Sequence, residues 1–166
     1  KFKYFASGNY LKQEGLMKFN KDEYNRYTTS LKVNGELTNW MDVNLSMRYI
    51  SEDYVQPTFM TETFYFDLAR QGWPILPLYD PNGHLFAAPS PALNIRDGGQ
   101  KKNQANWLYQ QFQLVLEPIK KWKTFAEFNY RHRTNFDHTD TQKTYNYDIE
   151  GNPYLYQANS SVVEYA

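Results

Sequence analysis

Strict alternation of side chains over residues 27–37 is the feature that most constrains the fold of this chain. In the stretch YTTSLKVNGEL, the odd positions hold Tyr27, Thr29, Leu31, Val33, Gly35 and Leu37, and the even positions hold only polar residues. Successive side chains of an extended chain point to opposite sides, so the pattern predicts a β-strand with one apolar and one polar face. Such a strand fits a soluble β-sandwich, with its apolar face in a core, or a membrane β-barrel, with that face against lipid.

The composition is rich in aromatic residues and yet polar, which both environments allow. Aromatic residues make up 18% of the 166 residues, with 15 Tyr and 11 Phe, while the mean hydropathy is −0.79. Barrel strands have this composition because half of each strand faces water, and so do sandwiches that bind sugars through aromatic rings. The 18 basic and 18 acidic residues cancel, which gives no sign of a nucleic-acid-binding surface. The absence of Cys excludes disulfides and Cys-ligated metals.

The alternation recurs in four further segments, and tight turns join the strands in pairs. We predict strands near residues 2–14, 24–38, 41–55, 105–117 and 122–136. Short turns at residues 38–40 and 118–121 close two hairpins, and each turn region carries a tryptophan, Trp40 or Trp122. The residues expected on the apolar face are Leu31, Val33, Val43, Leu45, Leu114 and Phe128, and those expected opposite are Lys32, Asn34, Asn44 and Glu127.

Two long polar loops, 57–104 and 137–166, are predicted to follow the hairpins. The first contains six of the eight prolines, and the spacing of Phe64 and Leu68 predicts a short helix near 62–71. Short turns that alternate with long loops are typical of outer-membrane barrels, which also carry aromatic girdles at both membrane interfaces. A soluble sandwich gives no reason for this asymmetry. The predicted fold class is therefore all-β, an antiparallel transmembrane β-barrel segment with long extracellular loops and a short loop helix.

Three short motifs follow one another in order along residues 2–130. The first segment, YFASGNYLKQEG, ends in Tyr10, Leu11, Gln13 and Gly15, and the second, RYTTSLKVNGELTNW, contains Arg26, Tyr27, Asn34 and Trp40. The third, PILPLYDPNG, has a Pro-x-x-Pro-x-Tyr-x-x-x-Gly pattern at Pro74, Pro77, Tyr79 and Gly83. Each motif is degenerate alone, but the ordered set resembles the SusC/RagA-type TonB-linked outer-membrane transporters.

The resemblance implies a 22-stranded barrel in the bacterial outer membrane, closed by an N-terminal plug. It also implies a SusD-like lipoprotein lid and energy supplied through TonB. The 166 residues contain about five predicted strands, too few to close a transport barrel, and neither plug domain nor TonB box. We therefore expect residues 1–166 to be an early part of the barrel of an oligosaccharide importer. The alternatives are a peptide importer of the same family and a secreted soluble β-sandwich that binds glycans.

No catalytic motif stands out in the sequence. It contains no Gly-rich phosphate loop, nucleophile elbow or zincin motif. His132, Asp137, His138 and Asp140 are close in sequence, but their spacing matches no known metal site, and a solvated loop is the simpler interpretation. We expect no enzyme activity, no metal and no cofactor.

The candidate binding residues lie in the long loop 57–104. Aromatic rings beside short polar groups suit sugar rings or peptide side chains, and rings are frequent in binding hot spots. The substrate- or lid-binding candidates are Tyr65, Phe66, Trp73, Tyr79, Asp80 and Asn82. The alternative is that these rings pack the loop against itself or against the lid protein. On the polar strand face, we expect Arg26, Lys32, Arg48 and Arg131 to balance Glu36, Asp42 and Glu127 rather than to bind substrate.

Overall fold

The protein is all-β with one short helix in the part that the computed structural model describes, namely residues 1–16, 19–61, 66, 75, 77–86 and 92–155. Five long strands dominate: β1 (Phe2–Glu14), β2 (Glu23–Thr38), β3 (Met41–Pro57), β4 (Gln100–Ile119) and β5 (Trp122–Thr139). Helix α1 (Ala92–Asp97) precedes β4, and the short strands β6 (Tyr145–Tyr147) and β7 (Pro153–Leu155) follow β5.

The five long strands form one antiparallel sheet in the order β1-β2-β3-β4-β5, which is the order of the chain. Among the described residues this sheet is open, with β1 and β5 at its edges. Strands β6 and β7 form a separate antiparallel pair in which Asn146 lies opposite Tyr154. The chain divides into two compact units: the sheet unit, Lys1–Gln13, Tyr24–Tyr54 and Asn103–Phe136, and the loop unit, the described residues of 14–23, 55–102 and 137–166.

Each predicted strand coincides with an observed one, but the long loops contain more structure than their composition indicates. Strand β4 begins at Gln100 rather than near 105, so the first loop is shorter than 57–104. The polar run QKKNQ carries no alternation, and backbone hydrogen bonds rather than side-chain pattern define this end of the strand, such as that from Asp140 N to Gln100 O at 2.9 Å. Strand β5 extends to Thr139, and the loop predicted over 137–166 contains β6 and β7.

The helix predicted near 62–71 lies almost wholly outside the described residues, of which only Phe66 belongs to that range and is helical. The observed helix α1 was not predicted. Six residues are too few to be stable alone, and α1 is held by its surroundings, with Leu93 and Ile95 buried. The Asn20 side-chain amide donates to the carbonyl oxygens of Ile95 and Arg96 at 2.9 and 3.1 Å, which satisfies the end of the helix.

The five-stranded sheet has two chemically different faces. Polar side chains meet across strands on one face, where Asn44 donates to Gln113 at 2.9 Å and Gln111 donates to Glu127 at 3.0 Å. We call this the polar face; it comprises the even residues of β2 and β3 and the odd residues of β1, β4 and β5. The opposite residues form the apolar face, where the rings of Tyr10 and Tyr27 stack with centroids 4.7 Å apart. The side-chain alternation of the sequence is thus the alternation of the sheet.

The apolar face is not buried by any described part of the sheet unit. Among the described residues, the buried hydrophobic ones are Leu85, Ala92, Leu93, Ile95 and Ala105, and only Ala105 belongs to the sheet unit. On the apolar face, Tyr4 is 86% exposed, Phe128 64% and Trp122 59%. Exposed apolar side chains grouped on one face are typical of a surface that contacts a partner or a membrane.

The loop unit, in contrast, has a small core of its own. Leu85, Ala92 and Leu93 form its hydrophobic cluster. The backbone around Gly98 and Gly99 joins its segments, because Thr58 N donates to Gly99 O at 3.1 Å and Gln142 N donates to Gly98 O at 3.0 Å. Gly99 has a φ of 99°, a left-handed conformation that favours glycine after a helix.

Candidate functional site

The predicted binding residues Tyr79, Asp80 and Asn82 lie together in a small hairpin of the loop unit. Tyr79 forms a β-bridge with Leu85, and Phe86 N donates to Leu78 O at 3.0 Å. The turn between them spans residues 80–84, in which Gly83 N donates to Asp80 O at 3.0 Å. Gly83 takes a positive φ of 88°, as expected for the glycine of a hairpin loop with a bulge. The DPNG sequence therefore makes the turn that its residue types predict.

The carboxylate of Asp80 is occupied by this turn. One oxygen accepts the backbone N–H of His84 at 2.8 Å, and the other contacts His84 Nδ1 at 3.1 Å. Burial alone would raise the pKa of Asp80, but the hydrogen bonds from the backbone and ring of His84 outweigh it, so the pKa lies below its ordinary value. The charged form of Asp80 is therefore stabilised by the turn itself.

A second turn in the loop unit, residues 148–152, repeats this arrangement between β6 and β7. Asp148 accepts the backbone N–H of Asn152 at 2.8 Å and its side-chain amide at 3.0 Å. Gly151 has a φ of 87°, and its N–H donates to Asp148 O at 3.0 Å. Hydrogen bonds from the backbone and side chain of Asn152 lower the pKa of Asp148. Both turns thus follow the pattern Asp-x-x-Gly followed by His or Asn.

The two turns belong to one cluster. The His84 ring stacks on Tyr147 with centroids 4.1 Å apart, and the Asn82 amide donates to the Asp148 carbonyl at 3.4 Å. His84 and Tyr147 were not among the sequence candidates. They are distant in the chain, and no local pattern pairs them.

Of the six candidate residues, the structure brings Tyr79, Asp80 and Asn82 together, and the ring of Tyr79 remains exposed. Tyr79 is 50% exposed, whereas Asp80 and Asn82 are engaged as described above. Phe66 is 72% exposed. Tyr65 and Trp73 lie outside the described residues. Exposed aromatic faces are what a sugar or protein ligand would use here, and Tyr79 and Phe66 provide them.

A second candidate site is a groove of about 830 Å³ on the polar face of the sheet unit. Its volume falls in the usual range of ligand sites. Four strands supply the lining, which includes Lys32, Arg48, Tyr109, Gln111, Asn129 and Arg131. The Arg131 guanidinium lies over the Tyr109 ring, 5.4 Å from its centroid, and beyond it Arg133 lies over Trp107 at 4.2 Å. Cations held over rings by cation–π contacts keep their outward N–H groups for other partners.

Among the described residues, no ion pair joins Lys32, Arg48 or Arg131 to the carboxylates expected to balance them, those of Glu36, Asp42 and Glu127. Glu117 lies 3.4 Å from Lys123. Glu127 accepts hydrogen bonds from Gln111 and Asn129 at 3.0 and 2.7 Å. Alternation placed the charges on one face but could not pair them, since pairing depends on the cross-strand register. Within the described ranges, no group of three or more His, Asp or Glu side chains is arranged to hold a metal.

Aromatic residues occur at two levels of the apolar face, which together we call its aromatic frame. Exposed tyrosines, which we call the upper tyrosines, lie eight to eleven residues from the tight-turn ends of their strands: Tyr10, Tyr27, Tyr49 and Tyr130. Near the turns lie Phe2, Trp40 and Trp122. Met41 to Tyr49 and Trp122 to Tyr130 each span eight residue steps, or about 26 Å along a strand. The sequence pattern indicates only the two tryptophans of this frame, through their place at the tight turns.

Comparison with protein-family models, with curated proteins and with solved structures finds no match to this chain. Among the described residues, no helix is both long and apolar enough to cross a membrane.

Proposed function

We propose that this chain forms part of the barrel wall of a TonB-dependent outer-membrane importer of oligosaccharides of the SusC/RagA type. The observation that carries the proposal is the exposed apolar face of a sheet whose opposite face is polar and grooved. Lipid supplies the missing apolar environment on one side, and a hydrated lumen solvates the other. The ordered motifs of residues 2–130 support the particular family.

Strand length supports a barrel over a sandwich. The five strands contain 13, 16, 17, 20 and 18 residues, whereas strands of globular proteins usually contain about 3–10. A transmembrane strand needs about 9–11 residues to cross the hydrocarbon core. In a large barrel, the additional residues of each strand extend beyond the membrane. The long connections begin at these extensions.

The aromatic frame of the apolar face has the spacing that a bilayer requires. Outer-membrane barrels carry an apolar band about 25 Å tall between two aromatic girdles. Trp122 to Tyr130 comprises nine residues inclusive, the lower end of the about 9–11 residues with which a tilted strand crosses the hydrocarbon core. In the proposed orientation, the tight turns lie on the periplasmic side of the membrane. The long connections, which form the loop unit, lie on the extracellular side.

The open edges of the sheet are consistent with further strands on both sides. Strands β1 and β5 have no second neighbour among the described residues. All residues of both strands are exposed. Unpaired backbone groups cannot face lipid, so in the proposed barrel each edge continues into another strand.

The proposed partners follow from the family resemblance: a SusD-like lipoprotein lid, TonB and an oligosaccharide substrate. Peptide import by the same machinery is the nearest alternative. Uptake of labelled oligosaccharides and peptides by cells that produce the intact protein separates the two. We expect oligosaccharide uptake that is lost when TonB or the lid protein is deleted; peptide uptake alone would support the alternative.

A secreted β-sandwich that binds glycans is the alternative from another class. It requires residues 1–166 to fold alone in water as a monomer. The barrel proposal requires detergent and the neighbouring strands, because the apolar face and the open edges need partners. Fractionation of cells that make the intact protein is the direct test, and recovery in the soluble fraction without detergent would contradict the barrel.

A further inference from the structure

The groove on the polar face has an excess of positive charge. Lys32, Arg48 and Arg131 all line it, and all three side chains are exposed. Among the residues that the structure describes, none of the three makes an ion pair or a side-chain hydrogen bond, and Arg131 has only the ring of Tyr109 beneath it. Three cations on one concave surface repel one another, so an anionic partner would relieve that repulsion.

The carboxylate beside the groove, that of Glu127, does not form an ion pair with the three cations. Glu127 is held by the amides of Gln111 and Asn129, two residues that themselves line the groove. These amide contacts orient the carboxylate, and they leave the amide oxygens and second N–H groups as hydrogen-bonding groups for a ligand. The groove therefore combines unpaired cations, neutral amides and aromatic rings.

In the proposed orientation the groove lies at mid-strand and faces the hydrated lumen of the barrel. Arg48 directly precedes the upper tyrosine Tyr49 in the sequence, and Arg131 directly follows the upper tyrosine Tyr130. Both arginines lie near the middle of their strands, β3 and β5. Nearer the tight turns, Glu117 is paired with Lys123, and Glu36 and Asp42 line a separate cavity.

We propose that this groove binds an acidic oligosaccharide, with the carboxylates of uronic-acid residues at Lys32, Arg48 and Arg131. The amides of Gln111 and Asn129 bond its hydroxyl groups. The inference rests on the proposed import function, of which it names the substrate class. It also reverses the expectation from sequence that these cations serve only to balance nearby acids.

The test is a binding titration of the intact protein in detergent with a tetramer of galacturonic acid and with its methyl ester. The ester keeps the size and hydroxyl groups of the acid and removes only its charge. We expect the acid to bind about tenfold tighter than the ester or more, with an affinity that falls as salt is added. The triple variant Lys32→Gln, Arg48→Gln and Arg131→Gln should reduce the preference for the acid to near unity.

Lys3→Gln is the matched control, because Lys3 lines a separate cavity of about 160 Å³ on the same face. It should leave the preference for the acid unchanged. Equal binding of acid and ester by the unmodified protein, or a triple variant that keeps the preference, would overturn the inference. A triple variant with a lowered melting temperature and unchanged affinity would also overturn it, since the cations would then pair with carboxylates of the protein itself.

The outcome is separable from that of the proposed function. Import of neutral oligosaccharides without binding of the acid would overturn the acidic-ligand inference and leave the importer proposal intact. Binding of the acid through the three cations without TonB-dependent uptake would support the acidic-ligand inference and overturn the importer proposal.

Discussion

At the scale of single residues, two aspartates and three glycines determine the geometry of the loop unit. Asp80 and Asp148 each accept hydrogen bonds from the residue four positions later. Gly83 and Gly151 supply the positive φ that each turn needs, and Gly99 supplies it after helix α1. The carboxylate of Asp80 thus stabilises its own turn, whereas the ring of Tyr79 remains exposed to a ligand.

Replacement of Gly99 by Ala should be far more damaging than replacement of Gly83. Both glycines have a positive φ, but a methyl group at Gly99 would clash with the carbonyl oxygen of Asp140, whereas none of the described atoms lies within 4 Å at Gly83. Gly83→Ala should cost about 1 kcal/mol from its backbone conformation alone, and Gly99→Ala about 3 kcal/mol or more. Hydrogen exchange of the Thr58, Asp140 and Gln142 amides would measure the difference, and similar protection in both variants would contradict it.

The turn at residues 148–152 should be pH-dependent in a defined direction. The folded pKa of Asp148 is lowered, so the turn is stabilised above the ordinary Asp value of about 3.9 and loses this stabilisation as pH falls through the lower, folded pKa. The amide shift of Asn152 should report a midpoint below about 3.9 in the intact protein. Asp148→Asn should abolish this titration. A midpoint above the ordinary value would show that the hydrogen bonds favour the protonated acid.

Tyr79→Ala tests whether the exposed ring of the loop hairpin binds a ligand or the lid. The ring is half exposed while its backbone is fixed by the bridge to Leu85, so its removal should reduce binding without unfolding the hairpin. We expect weaker affinity for substrate or lid by about tenfold, in the range of a hot-spot residue. Uptake, lid affinity and ligand affinity should be measured separately. Wild-type values for all three measurements would mean that the Tyr79 ring binds neither substrate nor lid and only packs within its loop.

At the scale of elements, the five strands of the sheet are two-sided, and each side has its own requirement. The polar face carries cross-strand hydrogen bonds such as that from Asn44 to Gln113. The apolar face carries aromatic rings, many of which are exposed. The same substitution should therefore have different effects on adjacent residues of one strand.

Arg at Leu31 should harm assembly, while Arg at the adjacent Ser30 should be mild. Leu31 lies on the apolar face between the upper tyrosines and the turn, where a charge against lipid costs about 2–4 kcal/mol at the bilayer midplane. Ser30 lies on the polar face, where water solvates the guanidinium. Heat-modifiable migration of the folded barrel in gels would report assembly. Equal tolerance of both variants would reject the assignment of the faces.

At the scale of the whole molecule, the sheet unit and the loop unit are stabilised differently. The loop unit buries Leu85, Leu93 and Ile95 in its own small core. The sheet unit buries almost none of its apolar side chains and depends on what lies against it. Composition alone does not separate a barrel from a sandwich, because both folds use the same alternating strands.

The sequence by itself determined the strands, the two tight hairpins and the faces, because a period of two residues is a local property of an extended chain. The residue types of Asp80–Gly83 also indicate the turn found there. Only the tertiary structure decided the start of β4 at Gln100, helix α1, the contact of His84 with Tyr147 and the unpaired cations of the groove. Each of these depends on partners distant in the chain, whose approach is set by strand register and by packing rather than by neighbouring residues.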